Sequence, residues 1–223
     1  MAMETSEISS NVRRVISSLP DGVTLAAAGK TRTPAQIRAA IAGGVEVIGH
    51  NYVQEAEASV GAVGREGVKW HMIGHLQRNK AKKAVALFDM IETVDSLKLG
   101  KALAKACAET GRTMPVLVEV NSAEEQSKSG AKPDEVEELV RALSKLEHIR
   151  IEGLMTMGFF SPDPEVCRPC FKLTHELFQR LAAADIEGVA MRHLSMGMSS
   201  SYQVAIEEGA TMVRIGTAIF GPR

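Results

Sequence analysis

A single (β/α)8 barrel is the fold class this sequence predicts, and three observations predict it. Short apolar, β-rich runs recur along the chain, and segments of helical period alternate with them strictly. The length of 223 residues suits one such barrel, so residues 1–223 are expected to form one domain. Apolar residues make up 45% of the chain, charged residues 24%, and the formal net charge is -1. That balance is ordinary for a soluble globular protein and offers no overall field favouring nucleic acid. The main competitor, an open doubly wound sheet, lacks a G-x-G-x-x-G after any early strand.

The elements follow in order. Residues 4–18 read as a helix before the first strand, where it is expected to close the bottom of the barrel. The first strand is "VTLAAAG" (23–29), and Thr33 followed by Pro34 then supplies an N-cap with proline at the first helical position. The second strand is "VEVIG" (45–49), after which Asn51 precedes "YVQEAEASVGAV", a helix with acidic residues in its early turns. Strands three to five are "KWHMIG" (69–74), "DMIETV" (89–94) and "MPVLVEV" (114–120). Segment 133–146 sets Val136, Leu139, Val140, Leu143 and Leu146 at the spacing of an amphipathic helix covering a sheet. "IRIEGLMT" (149–156), "MRHLSMG" (191–197) and "TMVRIG" (211–216) complete the eight.

The first residues contain no apolar stretch of signal-peptide type, and no later run approaches the length needed to cross a bilayer. A soluble cytoplasmic protein is expected. Three cysteines do not make a disulfide framework, which fits a reducing compartment. Cys167 and Cys170 form a C-x-x-C with no second pair to complete a zinc site and no thioredoxin-like surroundings, so they read as ordinary thiols near a helix start. His71 and His75 stand four apart around a strand, where they do not share a helix face, and no third ligand joins them.

Barrels of this kind work from the loops after their strands, and Lys30 directly follows the first. "GKT" there resembles the end of a Walker A loop, but the required glycine five positions before Gly29 is Thr24. Gly29 is expected to let a ligand approach the backbone. Phosphate sites tend to form after strands seven and eight. Here Ser199, Ser200 and Ser201 are expected to open a helix facing a phosphate dianion, with Gly216 and Thr217 offering amides and a hydroxyl from the neighbouring loop. Arg214, inside strand eight, points either into the barrel or towards a helix outside, and a barrel-facing arginine needs a partner. A phosphate site, an arginine and a lysine nucleophile together suit a phosphorylated aldehyde, and pyridoxal 5'-phosphate (PLP) fits best.

The chain also resembles the YggS/PROSC family of pyridoxal phosphate homeostasis proteins, whose barrel is like the N-terminal domain of alanine racemase. The resemblance runs from about Leu25 to the C-terminus through "GHNYVQE", "WHMIGHLQRNK", "EVNSAEEQSKSG", "GLMTMG", "LSMGMSSS" and "VRIGTAIFG". It implies that Lys30 carries PLP as a Schiff base, that Ser199, Gly216 and Thr217 hold its phosphate, and that Arg214 faces the pyridine nitrogen. It also implies Asn51 close to the cofactor, with Trp70 to Gly74 and Met155 as nearby walls. Two departures stand out: His50 replaces the acid of "GENYVQE", and Ser201 replaces the aspartate of "GMSxD". His50 reads as a polar loop residue. The expected function is a PLP carrier in cofactor homeostasis without turnover, monomeric, with PLP-dependent apoenzymes as candidate partners and with no nucleic-acid, membrane or metal site. The alternative is a small PLP-dependent amino-acid racemase. The resemblance implies that such racemases use a tyrosine from a second domain; none is expected here after "FGPR", and the sequence has only Tyr52 and Tyr202.

Overall fold

The computed structural model describes residues 3–125, 128–159, 161 and 163–222. Its strands, β1 (Thr24–Ala28), β2 (Val47–His50), β3 (Lys69–Met72), β4 (Met90–Val94), β5 (Met114–Val120), β6 (Ile149–Thr156), β7 (Val189–Ser195) and β8 (Met212–Ile215), all pair in parallel. They close in sequence order into a barrel, β8 returning to β1 with Arg214 opposite Ala26. All eight strands read in the sequence are present, with ends that move by a residue or two.

The helices are α1 (Thr5–Ser17), α2 (Pro34–Ala42), α3 (Val53–Val63), α4 (Ala81–Leu87), α5 (Leu97–Ala108), α6 (Val136–Leu143), α7 (Arg168–Ala183), α8 (Tyr202–Glu207) and α9 (Thr217–Phe220). Thr33 caps α2 as expected: its hydroxyl accepts from the Gln36 N–H, and the Gln36 side chain accepts from the Thr33 N–H. Asn51 does not cap α3, because the chain enters that helix at Tyr52 and no side chain takes the cap position.

Helix α1 does not close the bottom of the barrel. It runs down the flank against α2 and α9: Asn11 Nδ2 donates to the Ile219 carbonyl at 3.2 Å, and Val12 lies so near Gly43 that a Cβ there would come within 2.8 Å. The physical reason is α9, which spans only Thr217–Phe220 and leaves a seam beside α2, so the buried face Ile8, Val12 and Val15 of α1 packs there.

Alternation sorts the strand residues into two sets. Ile48, Trp70, Ile91, Val116, Val118 and Val213 face the helices and join the main core. The barrel interior holds two small apolar groups, Ala26 with Val47 and Met212, and Met90 with Leu117 and Met155. Trp70 therefore walls no site at the barrel centre. Its indole N–H donates to the Gly64 carbonyl at the end of α3, on the outer face.

Candidate functional site

The C-terminal ends of β7, β8, β1 and β2 lie side by side, and from them or the loops that follow come Ser199, Arg214, Gly216, Thr217, Lys30 and Asn51. Lys30 sits in a tight turn in which the Arg32 N–H donates to the Gly29 carbonyl at 3.1 Å. Thr31, next to it, has φ of 63°. A β-branched residue in that region is an outlier costing on the order of 1 kcal/mol or more, so the surroundings over-determine the direction in which the lysine leaves β1. Half-buried Lys30 places Nζ 5.1 Å from the centre of the Tyr52 ring.

Gly29 serves the fold rather than a ligand. A Cβ there would meet His50 Nε2 and Ile48 Cγ2 at 3.1 Å each, so the missing side chain makes room for β2. His50 is accordingly not a loop residue. It ends β2, is 1% exposed, and stacks on Trp70 with centroids 5.8 Å apart. Among the described residues neither of its ring nitrogens has a hydrogen-bond partner, and burial lowers its pKa to about 4, which favours the neutral ring. Asn51 lies against Gly74, where a Cβ would come within 2.6 Å of the Asn51 carbonyl oxygen. Asn51 and Tyr52 line a cavity of about 380 Å³ with Met72, Gly74, His75 and Gln77.

Of the serines after β7 only Ser201 stands at the opening of a helix, as the N-cap residue of α8, and its side chain makes no cap bond. The serines form a turn whose hydroxyls accept from neighbouring amides. Ser199 Oγ accepts from the Gly216 N–H at 3.1 Å and the Ala218 N–H at 3.3 Å, and buried Ser201 accepts from the Met198 N–H at 3.3 Å. Two amides at the start of α9 thus converge on one oxygen, the arrangement an anion would use. Thr217 is exposed beside them.

Arg214 points inward and is 3% exposed. One guanidinium nitrogen donates to Ser195 Oγ at 2.6 Å, and another to the Thr156 carbonyl at 2.7 Å. Ser195 in turn donates to Glu92 Oε2 at 2.6 Å, and His71 Nδ1 donates to Glu92 Oε1 at 2.8 Å. Burial pushes the Glu92 carboxyl up, but His71, Arg214 and Ser195 together outweigh it and hold Glu92 below its ordinary value. Burial lowers the Arg214 pKa, and the Glu92 and Glu119 charges oppose that. Glu119 stands differently: burial and the Asp95 charge raise it to about 7, Arg214 opposes them, and among the described residues its Oε2 has no hydrogen-bond partner. Glu92, Glu119 and Ser195 were not singled out in the sequence, and His71 was considered only as a metal ligand with His75 and as part of a wall. The signal was present, because Glu92 and Glu119 interrupt apolar strands just as Arg214 does, and a carboxylate there needs a partner.

Elsewhere, His75 is exposed and bonds Ser129 at 3.1 Å. Among the described residues no group of three or more His, Cys, Asp or Glu could hold a metal ion, and no helix is long and apolar enough to cross a membrane. Cys167 and Cys170 are buried free thiols whose pKa values burial raises, bonded to the Phe159 and Ser122 carbonyls. Gln126 and Ser127 of "EVNSAEEQSKSG" lie outside the described residues.

A family model described as the alanine racemase N-terminal domain matches residues 3–223, which defines the class of barrel. Solved alanine racemases agree in fold: that of Clostridium difficile superposes with a TM-score of 0.82 at 17% identity, over 97% of this chain and 57% of that one. Closer relatives narrow the class. The chain is 39% identical over 199 residues to the pyridoxal phosphate homeostasis protein of Aquifex aeolicus, covering 89% of this chain and 86% of the relative. With that of Escherichia coli K12 it shares 36% identity over 207 residues, covering 92% and 87%. PipY of Synechococcus elongatus, solved with PLP bound, superposes with a TM-score of 0.88 at 33% identity, over 96% of this chain and 100% of that one. The chain belongs to the pyridoxal phosphate homeostasis protein family.

Proposed function

We propose that this protein binds pyridoxal 5'-phosphate, carries it as a Schiff base on Lys30 and serves cytoplasmic PLP homeostasis without catalytic turnover. The observation that carries the reading is the conjunction of Lys30 on a strained turn, two amides converging at Ser199, and an inward arginine between them on adjacent strands. The arrangement fits the cofactor. Ala28 and Gly216, at the upper ends of β1 and β8, leave room above Arg214, because even a Cβ on Gly216 would meet only Ala28, at 3.4 Å. Ser199, Gly216 and Thr217 would hold the phosphate, Arg214 would face the pyridine nitrogen, and Asn51 would lie beside the ring. When bound, PLP supplies an electrophilic aldehyde.

The guanidinium supports binding over turnover. Arg214 is held from behind by Ser195 and Thr156, and a permanently charged donor at the pyridine nitrogen keeps that atom unprotonated and the ring a poorer electron sink. The PLP-bound PipY structure and the names of the relatives support PLP as the ligand and homeostasis as the role. We further propose a monomer with PLP-dependent apoenzymes as partners. Among the described residues the exposed large apolar side chains, Ile16, Tyr52 and Val166, are scattered, which supports the monomer.

The test is an absorbance spectrum with PLP, followed by borohydride reduction and peptide mapping. Reduction is expected to fix the cofactor on Lys30, and Lys30→Ala is expected to lose both the band and the adduct. An adduct scattered over surface lysines would overturn the assignment. Turnover is checked separately with alanine or serine in deuterated water, where no exchange at Cα is expected.

A further inference from the structure

From Lys30 and Tyr52 a groove leads away across the ends of β3 and β4. The cavity at Asn51 and Tyr52 continues, through the shared residues His75, Leu76 and Gln77, into a second of about 780 Å³ between the loop after β3 and the start of α5. Charge is concentrated there. Residues 78–105 hold seven Lys or Arg against three Asp or Glu, in a chain whose net charge is -1. Lys82 and Lys83 are paired with Glu109 and Glu57. Arg78, Lys80, Lys98 and Lys101 make no ion pair among the described residues. The acid in the groove is already engaged: Asp95 accepts from Ser96 Oγ at 2.9 Å and lies 3.4 Å from His75 Nδ1.

We propose that this groove is a docking surface for an acidic segment of a partner protein, and that it is the face across which the cofactor is handed to an acceptor enzyme. The inference rests on the PLP-carrier reading. A small anion satisfies one or two cations at one point. Here Arg78 and Lys98 line one cavity, Lys80 lines the other, and Lys101 lies one turn further along the exposed side of α5, about 4.5 Å beyond Lys98. Only an extended acidic surface meets them all, and complementary charge of this kind orients partners and speeds their encounter. Tyr52 adds the anchor that interfaces favour: half its surface is exposed, and it sits where the groove meets Lys30.

The experiment measures fluorescence anisotropy of a labelled apo-aminotransferase of acidic net charge, titrated with this protein without added PLP across a salt series. Cofactor transfer to the same acceptor is followed in parallel with PLP-loaded protein. Arg78→Glu combined with Lys98→Glu is expected to weaken association about tenfold or more at low salt and to slow transfer comparably. The PLP spectrum and Tm should stay those of the wild type, and Lys172→Glu on α7 should have no effect. Absence of association with wild-type protein, or association indifferent to the charge reversal, overturns the proposal, as does saturable capture of inorganic phosphate by the same cations without acceptor binding. Intact association with failed loading at Lys30 counts against the carrier reading alone.

Discussion

Glu119 and His50 are buried titratable groups with atoms that find no hydrogen-bond partner among the described residues, and they act on stability in opposite directions. The Glu119 pKa rises from about 4.5 to about 7, so between those values the folded state holds a proton that the unfolded state has lost. Stability from this group is fully present below about 4.5 and lost as pH rises through 7. His50, lowered to about 4 from 6.5, does the reverse: its contribution is present above 6.5 and lost as pH falls through 4. Glu119→Gln removes the first slope, and is expected to gain stability over wild type at pH 8 relative to pH 4.5 by on the order of 3 kcal/mol, read by urea denaturation at the two values. An unchanged difference would mean that Glu119 is ionised throughout. The same residues show where the sequence stopped being legible. Arg214 was identifiable because a charge in an apolar strand needs a partner, but His50 read as a loop residue, because only the closure of β2 against β3 puts its ring on Trp70.

The strands could be read almost to their ends, because each interior strand of a parallel barrel is buried on both faces and shows as a nearly continuous apolar run. Short helices were harder. The helix expected over the three serines is capped at Ser201 and runs only from Tyr202 to Glu207, because Ser201 Oγ accepts from the Met198 amide and favours a turn before it. Irregularity inside a strand was not legible at all. In β6 the register slips next to Gly153, whose φ is 149° and where a Cβ would lie 1.8 Å from the His193 carbonyl oxygen. That atom is backbone of β7 and cannot turn aside as a side chain can. Gly153→Ala is therefore expected to cost about 3 kcal/mol or more, or to prevent folding, as measured by chemical denaturation. A loss below about 1 kcal/mol would show that β6 and β7 separate easily there.

For the molecule as a whole, closure depends on a segment that lies before the first strand. Helix α1 covers the seam between α2 and α9 with Ile8, Val12 and Val15, each contributing about 1.5–3 kcal/mol on burial, against a total of about 5–15 kcal/mol for an ordinary domain. Deleting residues 1–18 is expected to abolish cooperative thermal unfolding monitored by circular dichroism. A sharp transition near the wild-type Tm would show that β8 and β1 stay closed without it. Fold class and the residues at the strand ends were legible at this scale because strand order fixes which loops meet. The role of α1 was not, because it depends on how short α9 is.

The turn at Ser199 bears on how a carrier lets go. The Gly216 and Ala218 amides are satisfied by a serine oxygen within the protein itself. An arriving phosphate would exchange one acceptor for another, and its advantage is the increment of a charged acceptor over a neutral one, not the full value of amides that had gone without a partner. Departure is eased to the same extent, since the hydroxyl takes the place of the leaving oxygen. A latch that closes on itself when its cargo leaves suits a protein whose task is exchange rather than retention.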